Sequence, residues 1–139
     1  RILSDKNSVF IGFRLGDYTD RKLKNKYGTV DISYFKKAID IIKKRIDNPT
    51  FYIFSNDMHW VKKNMVFEDL NFVLIENINN PQEELELMRS CSNAIIMNST
   101  FHWWGAFLIT NKSKIIISPK LWFVNGWSDN IIPKSWLKI

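Results

Sequence analysis

Three short polar clusters, each at the end of an apolar run, are where chemistry could sit in this 139-residue sequence. The first is Gly12-Phe13-Arg14-Leu15-Gly16-Asp17-Tyr18. An arginine offers a planar, permanently charged fork suited to phosphate, and glycines let a backbone turn sharply and a ligand approach. Arg14 and Asp17 could equally pair with each other across a loop. The second cluster is Ser55-Asn56-Asp57, which also suits a helix cap. The third, Asn98-Ser99-Thr100, stands directly before the aromatic stretch FHWWGAF. There it either caps a buried helix or seats an anion, because free N–H groups and the helix dipole at a helix N-terminus favour negative charge.

Several common chemistries lack their patterns. The chain has no G-x-x-x-x-G-K-[ST] and no G-x-G-x-x-G. His59 and His102 have no metal-like spacing with Cys91 or with carboxylates. No nucleophile-elbow motif supports a Ser-His-Asp triad, and no Asp-x-Asp occurs to hold a metal-bound diphosphate.

The clusters need a scaffold, and the composition supplies one. Hydrophobic residues make up 45% of the chain, with six Trp and ten Phe, so a packed single domain is expected rather than disorder. The net charge of +6 comes partly from stretches such as KKAIDIIKKR. Such charge could draw nucleic acid, an anionic membrane face or a phosphorylated ligand, or simply solvate a helix face. Cys91 is the single cysteine, so no internal disulfide forms. A reducing compartment and a packed thiol are expected. No apolar run approaches the roughly 18 residues of a membrane span. The chain opens on Arg1 rather than methionine, which reads as a piece of a longer protein.

Along the chain, Ser8–Phe13 reads as a buried strand leading into a long polar loop, DYTDRKLKNKYGTV. Asp31 caps a helix in which Ile32, Phe35, Ala38, Ile39, Ile42 and Ile46 share a face. Asn48-Pro49 ends it. Phe51–Ser55 reads as a second strand, a brief helix carrying Trp60 follows, and Phe72–Ile75 reads as a third. Asn80-Pro81, with Glu83 and Glu84 in the first turn, opens another helix. Ala94–Met97 is a fourth strand, Phe101–Ile109 a helix buried on most sides, and Ile115–Ile117 a fifth strand. The tail, with Trp122, Trp127 and Trp136, reads as irregular. Short apolar strands alternating with helices predict an α/β fold: a Rossmann-like parallel sheet with helices on both faces. Ligands of such sheets sit beyond the carboxyl ends of the strands. Gly105 suits close packing on a neighbour, and Trp103 and Trp104 suit a core.

Taken in order, FRLGDY, FSND with Trp60, and MRSCSNAIIMNSTFHWWGAFL followed by KIIISPKLWF resemble the α-1,2-fucosyltransferases of glycosyltransferase family 11. The last block is the specific one. Cys91, Asn98, Ser99, Thr100, Phe101, Trp103, Trp104, Gly105, Ala106, Pro119, Lys120, Trp122 and Phe123 fill the family pattern. The likeness extends from about Val9 to Trp136.

The resemblance implies one half of a GT-B-type enzyme, the half that binds GDP-fucose, with residues 1–139 as a single donor domain and the acceptor-binding half preceding Arg1. It implies an inverting enzyme whose acceptor is a galactose-terminated glycan and which needs no metal or other cofactor. It places Arg14 on the phosphate, and gives Asp17 the choice of orienting Arg14 or acting as the base. It assigns hydrogen bonds to Ser99 and Thr100 with the helix N-terminus, and puts Asn98 and Asp57 at the substrate. Asp57 would either contact the nucleotide or brace the loop. Family and charge together suggest cytoplasmic glycan assembly, peripheral to an anionic membrane surface. The chain departs from the pattern at four positions. Gly12 stands for a histidine and Leu15 for an arginine, Asn56 stands where aspartate is common, and His102 stands for a serine. Those departures keep a second reading open, a degenerate nucleotide-binding or interaction domain of the same fold. A nucleic-acid role is disfavoured, because the aromatics follow buried patterns instead of alternating with basic residues on an exposed strand.

Overall fold

The computed structural model describes residues 2–15, 31–123 and 130–139. Among these residues six strands form one sheet in which every pairing is parallel. They are β1 (Ser8–Phe13), β2 (Thr50–Ser55), β3 (Asn71–Leu74), β4 (Asn93–Ile95), β5 (Ile116–Ser118) and β6 (Leu137–Lys138), in the spatial order β3-β2-β1-β4-β5-β6. The helices are α1 (Ile32–Lys43), α2 (Met58–Asn64), α3 (Pro81–Arg89) and α4 (Thr100–Phe107). The chain winds outward from β1 through β2 to β3. It then returns by α3 to place β4 on the other side of β1. That reversal opens a crevice beyond the carboxyl ends of β1 and β4, where ligands of doubly wound sheets bind.

The strands carry apolar side chains on both faces, as a sheet covered twice requires. Val9, Ile11 and Phe13 of β1 join Phe51 and Ile53 of β2 in a core with Phe35, Ala38 and Ile42 of α1 and Val61 of α2. The alternate residues Phe10, Tyr52 and Phe54 face a second core, with Met88 of α3 and Ala106 of α4. The period of two along β1 therefore aims Phe10 and Gly12 at the α3–α4 layer. β3 is an edge strand, and its Phe72 is partly exposed.

Each helix opens on a side-chain cap. Asp31 Oδ1 accepts from the Ser33 amide at 2.8 Å, and Asn80 Oδ1 from the Gln82 amide at 2.9 Å. Asp57 Oδ1 accepts from the Trp60 amide at 2.9 Å, and Ser99 Oγ from the His102 amide at 3.4 Å. Lys114 closes α4 at its other end, its ammonium donating to the carbonyls of Phe107 at 2.9 Å and Ile109 at 2.7 Å. A cation there also meets the negative end of the helix dipole. Tyr34 ties α1 to the sheet by donating to the Ile96 carbonyl at 2.6 Å.

Three sequence expectations need correction. The tail contributes a sixth strand, held by the Ile117↔Leu137 and Ser118↔Lys138 pairings; two residues are too few for a periodic signal. The strands after β3 are also shifted from their apolar runs. β4 begins at Asn93, a polar residue buried because its side chain accepts from the Ile115 amide and donates to the Ser8 carbonyl. The third correction concerns α4, which is not buried on most sides. Its inward face consists of His102, Gly105 and Ala106, continued by Ile109 past its end, the i, i+3, i+4, i+7 stripe. Its large rings lie outside that stripe. Trp104 is 51% exposed and Phe107 48% exposed. Trp103 is half-buried, stacked on Phe107 with ring centres 4.8 Å apart and donating from Nε1 to the Ile131 carbonyl at 2.8 Å. Gly105 and Ala106 keep the middle of the inward face small where α4 lies close upon α3 and β1. A Cβ at Gly105 would stand 2.9 Å from Met88 Sδ and 3.4 Å from Phe10 Cζ.

Candidate functional site

The segment after β1 is tied down on both sides of the crevice. The Arg14 amide lies 3.2 Å from Met97 Sδ, beyond β4, and the Leu15 amide donates to Asn56 Oδ1, beyond β2, at 2.7 Å. Leu15 turns inward, is only 6% exposed and belongs to the core beneath α1 and α2. The position at which the family pattern carries a second arginine is here an apolar anchor. Arg14 turns the other way and lines a cavity of about 420 Å³ beyond the carboxyl ends of the strands.

Four strand ends or helix starts build that cavity's walls. Ser55, Asn56 and Met58 come from the β2–α2 junction, and Ile75, Glu76, Asn77 and Ile78 follow β3. Glu84 comes from the first turn of α3, and Phe101 and His102 from the first turn of α4. Asn77 has a φ of 62°, the left-handed region that asparagine tolerates better than most residues. Charges of both signs meet here. Arg14 lines the wall, and Glu76 pairs with Lys62 at 2.7 Å. Burial raises the Glu84 carboxyl above its ordinary pKa, with the charge of Arg14 opposing the rise.

His102 is the most enclosed polar group in the wall. It is 2% exposed, and its Nδ1 has no hydrogen-bond partner among the described residues. Burial pushes its pKa down to about 3, and the positive charge of Arg14 adds to the shift. The imidazole is therefore neutral across the physiological range. It can offer hydrogen bonds without setting a second cation beside Arg14.

Of the residues singled out from the sequence, Arg14 lies in this cavity, and the others take different places. Asp57 stands beside it and caps α2. Asn98 donates from Nδ2 to the Trp122 carbonyl at 3.0 Å, holding the segment after β5. Ser99 is buried as the cap of α4, and Thr100 is the exposed first residue of that helix. None of these four is among the residues that line the cavity. Asp17 lies outside the described residues. Asn56, Glu84 and His102 do line it; Asn56 belongs to the second candidate cluster of the sequence, whereas sequence reasoning did not place Glu84 and His102 at the site. His102 was visible only as a departure from a motif, and Glu84 only as an acidic residue in a helix's first turn.

Cys91 is buried against the α3–α4 layer. Desolvation, with the negative charge of Asp5 adding to it, raises its thiol pKa, which suits a packed thiol and not a nucleophile. Among the described residues no helix is long and apolar enough to cross a membrane.

The family model for glycosyl transferase family 11 matches residues 2–138. The chain belongs to glycosyl transferase family 11. Among curated relatives, it is 30% identical over 141 residues to an O-antigen biosynthesis glycosyltransferase, WbnK, of Escherichia coli, covering 99% of this chain and 46% of the relative. It is 33% identical to an alpha-1,2-colitosyltransferase of Escherichia coli, covering 96% and 48%. It is 30% identical to the human galactoside alpha-(1,2)-fucosyltransferase 1, covering 75% and 30%. This family 11 chain thus spans about half the length of the bacterial relatives. Its parallel sheet, flanked by helices on both faces, is consistent with one Rossmann-like half of a GT-B-type enzyme.

Proposed function

We propose that this chain is the donor-binding domain of a glycosyltransferase that moves fucose from GDP-fucose to a galactoside hydroxyl in glycan or surface-polysaccharide assembly. The observation that carries the reading is the cavity beyond the carboxyl ends of β1, β2 and β3, with Arg14 in its wall and the first turns of α3 and α4 against it. A diphosphate needs a fixed cation and directed donors. A guanine base presents N–H donors, which carboxylates such as Glu84 can accept. The acceptor sugar would be held by a second half preceding residue 1. The net charge of +6 suits assembly on the cytoplasmic side of an anionic membrane, to which the protein binds peripherally.

In the proposed reaction the acceptor oxygen attacks the anomeric carbon of fucose as the bond from that carbon to the β-phosphate oxygen breaks. The configuration inverts, GDP departs with the electron pair, and the hydroxyl proton passes to a base. Negative charge grows on the β-phosphate, and Arg14 is placed to stabilise it. Asn56 contributes indirectly, by fixing the segment that carries Arg14. The base is Asp17 or a group of the other half. No step draws on a metal.

A second reading has its own observation. Leu15 is buried where the family pattern has an arginine, so the chain can bind nucleotide with reduced or absent transfer. The relatives also differ in the sugar that they are named for, fucose or colitose. Calorimetric titration of the chain with GDP, UDP and ADP tests the donor site. GDP-selective binding is expected, weakened roughly 10- to 150-fold by Arg14→Ala if a charge-assisted contact of about 1.5–3 kcal/mol is lost. Equal affinity for all three nucleotides, or none for any, refutes the donor reading. Incubation of the full protein with GDP-fucose and a β-galactoside then separates a working transferase from a binding domain.

A further inference from the structure

Gly12 lies within β1, paired with Phe54 of β2, and its φ lies outside the positive range that favours glycine. Backbone conformation therefore does not call for a glycine here; space does. A Cβ at this position would stand 2.6 Å from His102 Cγ, 2.6 Å from Nδ1 and 2.7 Å from Cδ2. Contacts that close do not occur between real atoms, so the imidazole fills the volume that any other residue at position 12 would claim. The ring is enclosed, its Nδ1 has no partner among the described residues, and it lines the Arg14 cavity. Two of the four departures from the family pattern, Gly12 and His102, ninety residues apart in sequence, are thus in contact.

We infer that His102, seated on Gly12, is a binding residue of the cavity that donates a hydrogen bond from Nε2 to a phosphate oxygen of the diphosphate held by Arg14. The inference rests on the donor reading above and adds a residue to it. With Nδ1 enclosed against β1, Nε2 is the nitrogen that the ring can offer to a ligand. A neutral imidazole has one N–H to place. The proton on Nε2 leaves only a lone pair on the buried Nδ1, whereas the other tautomer would bury an unpaired N–H there. An N–H aimed at phosphate beside a guanidinium completes the donor set without the repulsion of a second cation. Gly12 acts as a positioning residue: it has no side chain to bind with, and its role is to let the ring lie flat against the strand.

Calorimetry of the full protein with GDP and with guanosine tests the inference, because only GDP carries the diphosphate. His102→Phe keeps a planar ring over Gly12 and removes the donor. His102→Gln replaces the ring but keeps an N–H donor, and Gly12→Ala displaces the ring while leaving its chemistry intact. Expected are a roughly tenfold loss of GDP affinity in His102→Phe and Gly12→Ala, unchanged guanosine affinity in both, and partial recovery in His102→Gln. If wild type binds GDP and folded His102→Phe binds it equally well, the inference is overturned while the donor reading stands. If wild type binds neither ligand, the donor reading falls and takes the inference with it. Should His102→Phe fail to fold, Gly12→Ala decides: GDP affinity equal to wild type overturns the inference.

Discussion

Acid should loosen this domain through one side chain. The folded-state pKa of His102 is about 3, set first by burial and then by the charge of Arg14, and the unfolded value is about 6.5. Between those limits the unfolded chain binds a proton that the folded chain refuses, so stability rises with pH across that window and falls as acid is added. The slope for one such group is about 1.4 kcal/mol per pH unit. The unfolded imidazole is only half protonated at pH 6.5, so lowering pH from 6.5 to 4.5 should cost about 2 kcal/mol from His102 alone, against a total stability of about 5–15 kcal/mol for a typical domain. The groups around the ring are few. Arg14, Glu76 and Glu84 are the charged groups that line the same cavity, and Met88 and Phe10 of the neighbouring layer carry no titratable group. Urea denaturation at half-unit steps from pH 4.0 to 7.5 measures the effect in wild type and His102→Gln. The comparison is between slopes, so a variant of lower absolute stability still informs, and the remaining carboxylates titrate in both proteins. Wild type should lose about 2 kcal/mol more than the variant between pH 6.5 and 4.5. Parallel curves would refute the reasoning and show that the ring takes up its proton without leaving its place.

Other substitutions test packing and caps. Gly105→Ala gains about 1 kcal/mol of helix propensity but sets a Cβ 2.9–3.0 Å from Met88 Sδ and Cβ. Overpacking of that kind costs about 1–3 kcal/mol, so thermal unfolding should show a net loss; a raised Tm would mean that α3 and α4 part easily. Lys114→Met removes donors to the last carbonyls of α4 and should cost about 1–2 kcal/mol in urea denaturation, whereas no change would mean that water replaces the ammonium. Trp122→Ala should cost about 3–5 kcal/mol, since that ring is 2% exposed. Trp104→Ala should cost about 1 kcal/mol or less, with half the ring already in water; equal losses at the two positions would contradict the placement of α4.

Much of the fold was legible because its signals are local. Asp31, Asn80 and Ser99 announce helix starts through side-chain oxygens that bond amides two or three residues on. The apolar runs of β1 and β2 are long enough to bury both faces of a central strand. The errors fall where the deciding contact is distant. Asn93 joins β4 because its partners are Ser8 and Ile115. Leu137 and Lys138 become a strand only because β5 offers an edge. On α4, hydrophobicity misled. A helix that must approach a neighbour closely turns its smallest residues inward and leaves its largest rings at the margin, so Trp103, Trp104 and Phe107 read as core by type but not by place.

The site was legible in part for the same reason. Arg14 follows an apolar strand and keeps its motif context, so its position beyond a carboxyl end follows from the fold class. Asp57 and Ser99 fit equally a ligand contact and a helix cap, and spacing alone could not choose between them; in the structure their oxygens meet the amides of Trp60 and His102. Gly12 and His102 are the instructive pair. Read singly, Gly12 was a backbone hinge and His102 a lapse from a serine. Neither reading holds once period two sends Gly12 toward the α3–α4 layer and α4 sets its third residue against it. Two apparent losses at separate motifs become one arrangement, an imidazole from α4 seated over a glycine of β1. Each residue is plain in the sequence, but only the contact between α4 and β1 reveals that the two belong together.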